Sequence, residues 1–65
     1  KEFIQAVVAD LNDPDDGVRL LAVRTLGRLG NLAAAALPDV ERALSDPDRD
    51  VRKAAADALV RMSLP

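Results

Sequence analysis

Apolar residues recur along this chain at every third or fourth position, which is the spacing of one buried helical face. The first such stretch predicts a helix over roughly 2–12, and the second predicts a helix from about 14 to 29. The face expected to be buried in this second helix consists of Val18, Leu21, Ala22, Thr25, Leu26 and Leu29. A last helix is predicted by the spacing of Val51, Ala54, Ala55, Ala58, Leu59 and Met62.

Between these helices, an alanine-rich third stretch begins at Leu32 and is interrupted by Pro38. Proline removes an internal hydrogen bond and clashes with the preceding turn. Two interpretations therefore stay open: the third helix begins near Pro38 after a short helical turn, or one helix from about Ala33 is kinked at Pro38. Elsewhere the breaks are clear, with Gly30-Asn31 ending the second helix.

Two Asp-Pro pairs, at 13–14 and 46–47, mark helix starts. We expect Asp13 and Asp46 to act as N-caps, because an Asp side chain can accept a hydrogen bond from an orphaned backbone N–H. The proline that follows suits the first helical position, where no donor is needed. Further aspartates lie in the first turn, where the positive end of the helix dipole stabilises their negative charge.

The segments 11–30 and 44–63 are two versions of one sequence, related by a shift of 33 residues. Such a period is typical of a stacked repeat. The chain is therefore predicted to be all-α, a fragment of an α-solenoid made of two stacked antiparallel helical hairpins with four helices. We expect a single domain over 1–65, with repeat 1 at about 1–31 and repeat 2 at about 32–65.

Composition narrows the range of functions. Twelve alanines and a single aromatic residue, Phe3, indicate a core built by close approach of helices. A net charge of −2 argues against binding to nucleic acid, which needs an excess of Lys and Arg. The longest apolar run, 32–37, is far shorter than the ~20 residues that cross a bilayer. We expect a soluble, cytoplasmic protein without a membrane partner.

Catalysis and metal binding are poorly supported. The chain has no His, Cys or Tyr, so Ser45 and Ser63 lack an imidazole partner and no enzyme activity is expected. Asp46, Asp48 and Asp50 imitate the start of a calcium loop, but Val51 stands where that loop needs glycine. We therefore predict no metal site and no cofactor.

The pattern Leu-x-Asp-Pro-Asp-x-x-Val-Arg-x-x-Ala-x-x-x-Leu occurs twice and resembles HEAT repeats, especially the bacterial HEAT-like repeats of phycobilin lyase subunits. Pro38 matches a proline that such repeats often carry in their first helix, whereas the first repeat has Gln5 there. The resemblance implies that second helices line a concave side that commonly contacts protein partners. On these helices the outward stripe is Leu20, Arg24, Arg28, Lys53, Asp57 and Arg61.

This stripe has two interpretations. Its members are either ordinary solvated residues, with Asp57 and Arg61 forming a pair one turn apart, or a protein-binding surface. Arg24 and Arg28 favour the second interpretation, because like charges four residues apart repel and a carboxylate-bearing partner would relieve that repulsion.

Arg19 and Arg52 also have two interpretations. Each lies four residues after an aspartate, Asp15 or Asp48, and could form a local helical pair. The resemblance instead implies a link between repeats, here either Asp13 with Arg52 or Arg19 with Asp46. Both interpretations assign these residues to the scaffold.

Two repeats are few for a stable stack, which usually needs about three. Apolar residues at both ends, such as Phe3 and Val60, predict self-association through exposed repeat ends. Three accounts follow: a fragment of a longer solenoid, an engineered minimal unit, or a small subunit that completes its core by oligomerising or docking; we favour the first two. The function expected is a non-catalytic protein-protein interaction scaffold. The alternative is an accessory subunit segment of a chromophore-lyase-like enzyme system that holds a substrate or carrier protein.

Overall fold

The computed structural model describes residues 2–64, and all regular structure in that range is helical. Helix α1 spans Glu2–Asp10, α2 spans Asp16–Leu29, α3 spans Leu37–Arg42 and α4 spans Arg49–Met62. Two 3₁₀ segments, Gly30–Ala36 and Ala43–Ser45, flank α3. The prediction of an all-α chain is confirmed, and the architecture is compatible with a solenoid fragment.

The predicted count of four full helices is not confirmed, because the third is a composite segment, 30–45, in which the two 3₁₀ segments flank α3. Only six residues of α3 have α geometry, whereas α1, α2 and α4 have nine, fourteen and fourteen. The backbone of Ala33 is non-helical, at φ −105° and ψ 23°. Pro38 lies in the first turn of α3, where its missing N–H leaves no hydrogen bond broken. This agrees with a helix that begins near Pro38 rather than one kinked there.

The N-caps lie two residues later than predicted. Asp15 and Asp48, not Asp13 and Asp46, cap α2 and α4. The carboxylate of each earlier aspartate instead accepts the N–H of the aspartate two residues on, at 2.9 Å in both repeats. This local Asx-type bond shapes the Asp-Pro-Asp turn and carries the chain into the helix.

The end of α2 is as predicted. Gly30 has φ 59°, in the left-handed region that favours glycine, and its N–H donates to the carbonyls of Leu26 and Gly27. The run Asp16–Ser45 has the length and mean hydropathy (1.2 over 18 residues) of a membrane-crossing helix. It is weak evidence for a membrane, because Gly30 and Ala33 break the run into separate segments.

The core lies between α2, α4 and the composite segment. Its largest fully buried side chains are Val23, Leu26, Val40, Val51 and Met62. Where α2 meets α4, a Cβ built on Gly27 would lie 3.0 Å from the Cβ of Ala58. The alanine-rich composition thus produces the close helix approach expected from it.

The buried face of α2 differs from the predicted one. Leu21 is 66% exposed and Thr25 only half-buried, whereas Val23 and Gly27, which were not in the predicted face, are buried. The reason is that α2 contacts α1 on one side and α4 on another, so two neighbours set its buried arc. That arc is displaced by about one position from the simple apolar stripe.

Candidate protein-binding surface

A groove with a volume of about 670 Å³ runs between α2 and α4. Three small residues line it, Gly27, Ala54 and Ala58, and the small size of Gly27 and Ala58 lets the two helices approach closely. Longer side chains flank them, and the remaining lining residues are Leu21, Arg24, Thr25, Arg28, Asp50, Lys53, Asp57 and Arg61. The groove is therefore a shallow channel with small residues at its centre and charged flanks.

The groove brings together five of the six predicted site residues, namely Arg24, Arg28, Lys53, Asp57 and Arg61. Leu20 is the exception, since it is half-buried and packs against the core. Leu21 lines the groove instead. At about 100° per residue, positions eight apart on a helix differ by about 80°, whereas positions seven apart differ by about 20°. A stripe that starts at Leu21 and continues three and seven residues later, at Arg24 and Arg28, is the one that lines the groove.

The groove carries an excess of positive charge. Its lining has four basic residues and two acidic ones, in a chain whose net charge is −2. The Nε of Arg61 donates to Asp57 Oδ2 at 3.0 Å, so this pair is satisfied within α4. Arg24, Arg28 and Lys53 form no ion pair with residues 2–64. All three side chains are exposed to solvent.

The link between the repeats is formed by Arg19 and Asp46. The Nε and Nη2 of Arg19 donate to the two carboxylate oxygens of Asp46 at 2.8 and 3.1 Å. This hydrogen-bonded fork lowers the pKa of Asp46 and raises that of Arg19, although desolvation opposes both shifts. Of the two interpretations, the link between repeats is correct, and it is made by Arg19 with Asp46 rather than by Asp13 with Arg52.

Both arginines are also held within their own repeats. The Nη1 of Arg19 donates to the carbonyl oxygens five and six residues upstream, at 3.1 and 2.9 Å. The Nη1 of Arg52 makes the same two bonds, at 2.9 and 2.8 Å. The repetition of this contact shows that both arginines belong to the scaffold, as predicted.

The acidic clusters have structural roles. Asp46 binds Arg19, and the Oδ2 of Asp48 accepts the N–H of Val51 at 3.0 Å. Within residues 2–64, no three acidic side chains come close enough together to hold a metal ion.

The sequence profile described as HEAT repeats matches residues 4–65. The match does not separate the phycobilin-lyase type from other HEAT repeats. Comparison with curated proteins and with solved structures gives no significant match. With nearly the whole chain matched and an arginine fork joining two segments of similar sequence, this chain belongs to the HEAT-repeat family.

Proposed function

We propose that this chain is a non-catalytic protein-protein interaction scaffold and that the groove between α2 and α4 is its binding surface. The observation that carries the proposal is that five of the predicted site residues, two on α2 and three on α4, line one open groove. HEAT repeats commonly bind proteins, which supports the same conclusion.

The proposed organisation is that of two solenoid repeats. The first consists of α1 and α2, at about 1–31, and the second of the composite segment and α4, at about 32–65. In this arrangement the second helix of each repeat contributes one side of the groove. No feature of residues 2–64 favours the chromophore-lyase alternative, since neither an aromatic residue nor a histidine lines the groove.

The proposal can be tested with a displayed library of random peptides selected on the immobilised chain. The selected peptides are then measured against the double variant Arg24→Glu, Arg28→Glu. The control, Arg42→Glu with Arg49→Glu, makes the same change in net charge outside the groove and also removes the exposed ion pair between Arg42 and Asp39. We expect the peptides to bind the control but not the groove variant. Failure to enrich any peptide, or equal binding to both variants, would contradict the proposal.

A further inference from the structure

We propose that the partner of this groove is an acidic peptide segment, which binds Arg24 and Arg28 through carboxylates and places an apolar side chain against Leu21. This inference rests on the proposed function of the groove and specifies the chemistry of its partner. Three features support it: the distribution of charge, the spacing of the two arginines and the exposure of Leu21.

The charge distribution separates the groove from the rest of the molecule. The groove has four basic and two acidic residues, whereas the remainder of the chain has five basic and nine acidic ones. Asp57 is already bound to Arg61, so the positive charge on the α2 side is not neutralised within the described residues. A negatively charged segment is therefore attracted to the groove and repelled by the surrounding surface.

The spacing of the two arginines suits carboxylates. Arg24 and Arg28 are four residues apart on α2, which places them about one turn, or ~6 Å, apart along the helix. Carboxylates on one turn of a partner helix have the same separation. Each guanidinium can hold a carboxylate through two parallel hydrogen bonds, which fixes orientation as well as charge.

The same spacing has a cost for the unbound chain. Two like charges one turn apart are mildly destabilising. Binding of carboxylates removes that repulsion, whereas a purely structural role for these arginines offers no such relief. Neutralising them should therefore weaken binding without lowering the stability of the free chain, a combination that loss of folding cannot produce.

Leu21 supplies the apolar part of the surface. It is 66% exposed and lines the groove together with Ala54 and Ala58. An apolar side chain on the partner would cover this leucine and displace water from the small residues beside it. The expected partner therefore combines acidic residues with an apolar anchor.

A nucleic acid is the less favourable polyanion. Asp50 and Asp57 line the same groove and would face a continuous phosphate backbone, which cannot avoid them. A peptide can place its carboxylates at the arginines alone. The net charge of −2 further weakens non-specific attraction to nucleic acid.

The test uses a fluorescently labelled helical peptide that carries two glutamates one turn apart and one leucine, measured by fluorescence anisotropy. A second peptide with glutamine in place of both glutamates is the matched control, and a single-stranded oligonucleotide of equal charge is the competing ligand. We expect Arg24→Gln with Arg28→Gln to weaken binding of the acidic peptide at least about tenfold, since charged hydrogen bonds are lost. Leu21→Asn should weaken it as well, and Arg42→Gln with Arg49→Gln should not.

Each outcome separates this inference from the proposed function. Equal binding of the glutamate and glutamine peptides, or tighter binding of the oligonucleotide, overturns the acidic-peptide inference. If the displayed library instead yields neutral peptides that depend on Arg24 and Arg28, the scaffold function stands and the inference fails. If no peptide binds at all, both fail. Thermal melts of the Arg24→Gln, Arg28→Gln variant should show a Tm equal to or above that of the parent chain, and a lower Tm would contradict the inference.

Discussion

The contact between Gly27 and α4 allows a quantitative prediction. A Cβ at position 27 would lie 3.0 Å from the Cβ of Ala58 and 3.1 Å from its Cα. The Cα belongs to the backbone, so it cannot move aside as a flexible side chain would. We expect Gly27→Ala and Gly27→Val to push α2 and α4 apart in increasing order.

The magnitude follows from two opposing effects. Overpacking a closely packed site costs about 1–3 kcal/mol. Replacing glycine within a helix gains about 1 kcal/mol for alanine but only about 0.3 kcal/mol for valine. The net loss in free energy of unfolding should be about 1 kcal/mol for Gly27→Ala and about 2 kcal/mol or more for Gly27→Val. For a domain of this size, each kcal/mol lowers Tm by about 4–8 °C.

Thermal and urea unfolding followed by circular dichroism would measure these losses. Val60→Gly is the matched control, because Val60 occupies the equivalent position 33 residues later and is 62% exposed. Its replacement should cost only about 0.3 kcal/mol of helix propensity plus a small loss of contact. A Gly27→Ala variant with an equal or higher Tm would refute the reasoning, since helix propensity would then outweigh the contact with Ala58.

Three further predictions concern the termini, the caps and the ionic link. The pKa of Asp46 is lowered in the folded chain, so its stabilising effect is complete above the ordinary pKa of Asp and is lost as pH falls through the lowered value. Asp46→Asn should therefore flatten the acid side of a plot of Tm against pH. An unchanged slope would count against a stabilising bond between Arg19 and Asp46. Asp48→Ala removes the bond to the N–H of Val51 and should cost about 1 kcal/mol in urea unfolding, whereas no loss would show that the cap is dispensable. Self-association through exposed apolar ends stays a prediction: sedimentation velocity should show larger species as concentration rises and fewer for Val60→Lys, and a strict monomer at all concentrations would contradict it.

The sequence predicted the general fold because its repeat is specific. The 33-residue shift and the Asp-Pro turns indicated two similar helical halves, and the arginine link between them was among the stated alternatives. Helix boundaries were less accurate. The caps moved from Asp13 and Asp46 to later aspartates because the Asx-type bond competes with capping by the same carboxylate.

The lining of the groove was predicted in part. Charged members of the stripe lie on the groove because they cannot be buried unpaired, which fixes their side of the helix. Hydrophobicity could not distinguish Leu20 from Leu21, since both are leucines, whereas the seven-residue spacing from Leu21 to Arg28 places those two on one side of the helix. That the chain is not an enzyme and that it is cytoplasmic stay predictions.

The two kinds of arginine contact differ in how much chain they enclose, and this bears on the order of folding. The bonds from Arg19 and Arg52 to upstream carbonyls span five or six residues, so each can form within its own half. The bond from Arg19 to Asp46 spans 27 residues and requires both halves to meet. Closing the larger loop costs more chain entropy. The short loops that hold Arg19 and Arg52 can therefore close quickly within each half, before the two halves meet. Formation of the bond between Arg19 and Asp46 is then the slower step.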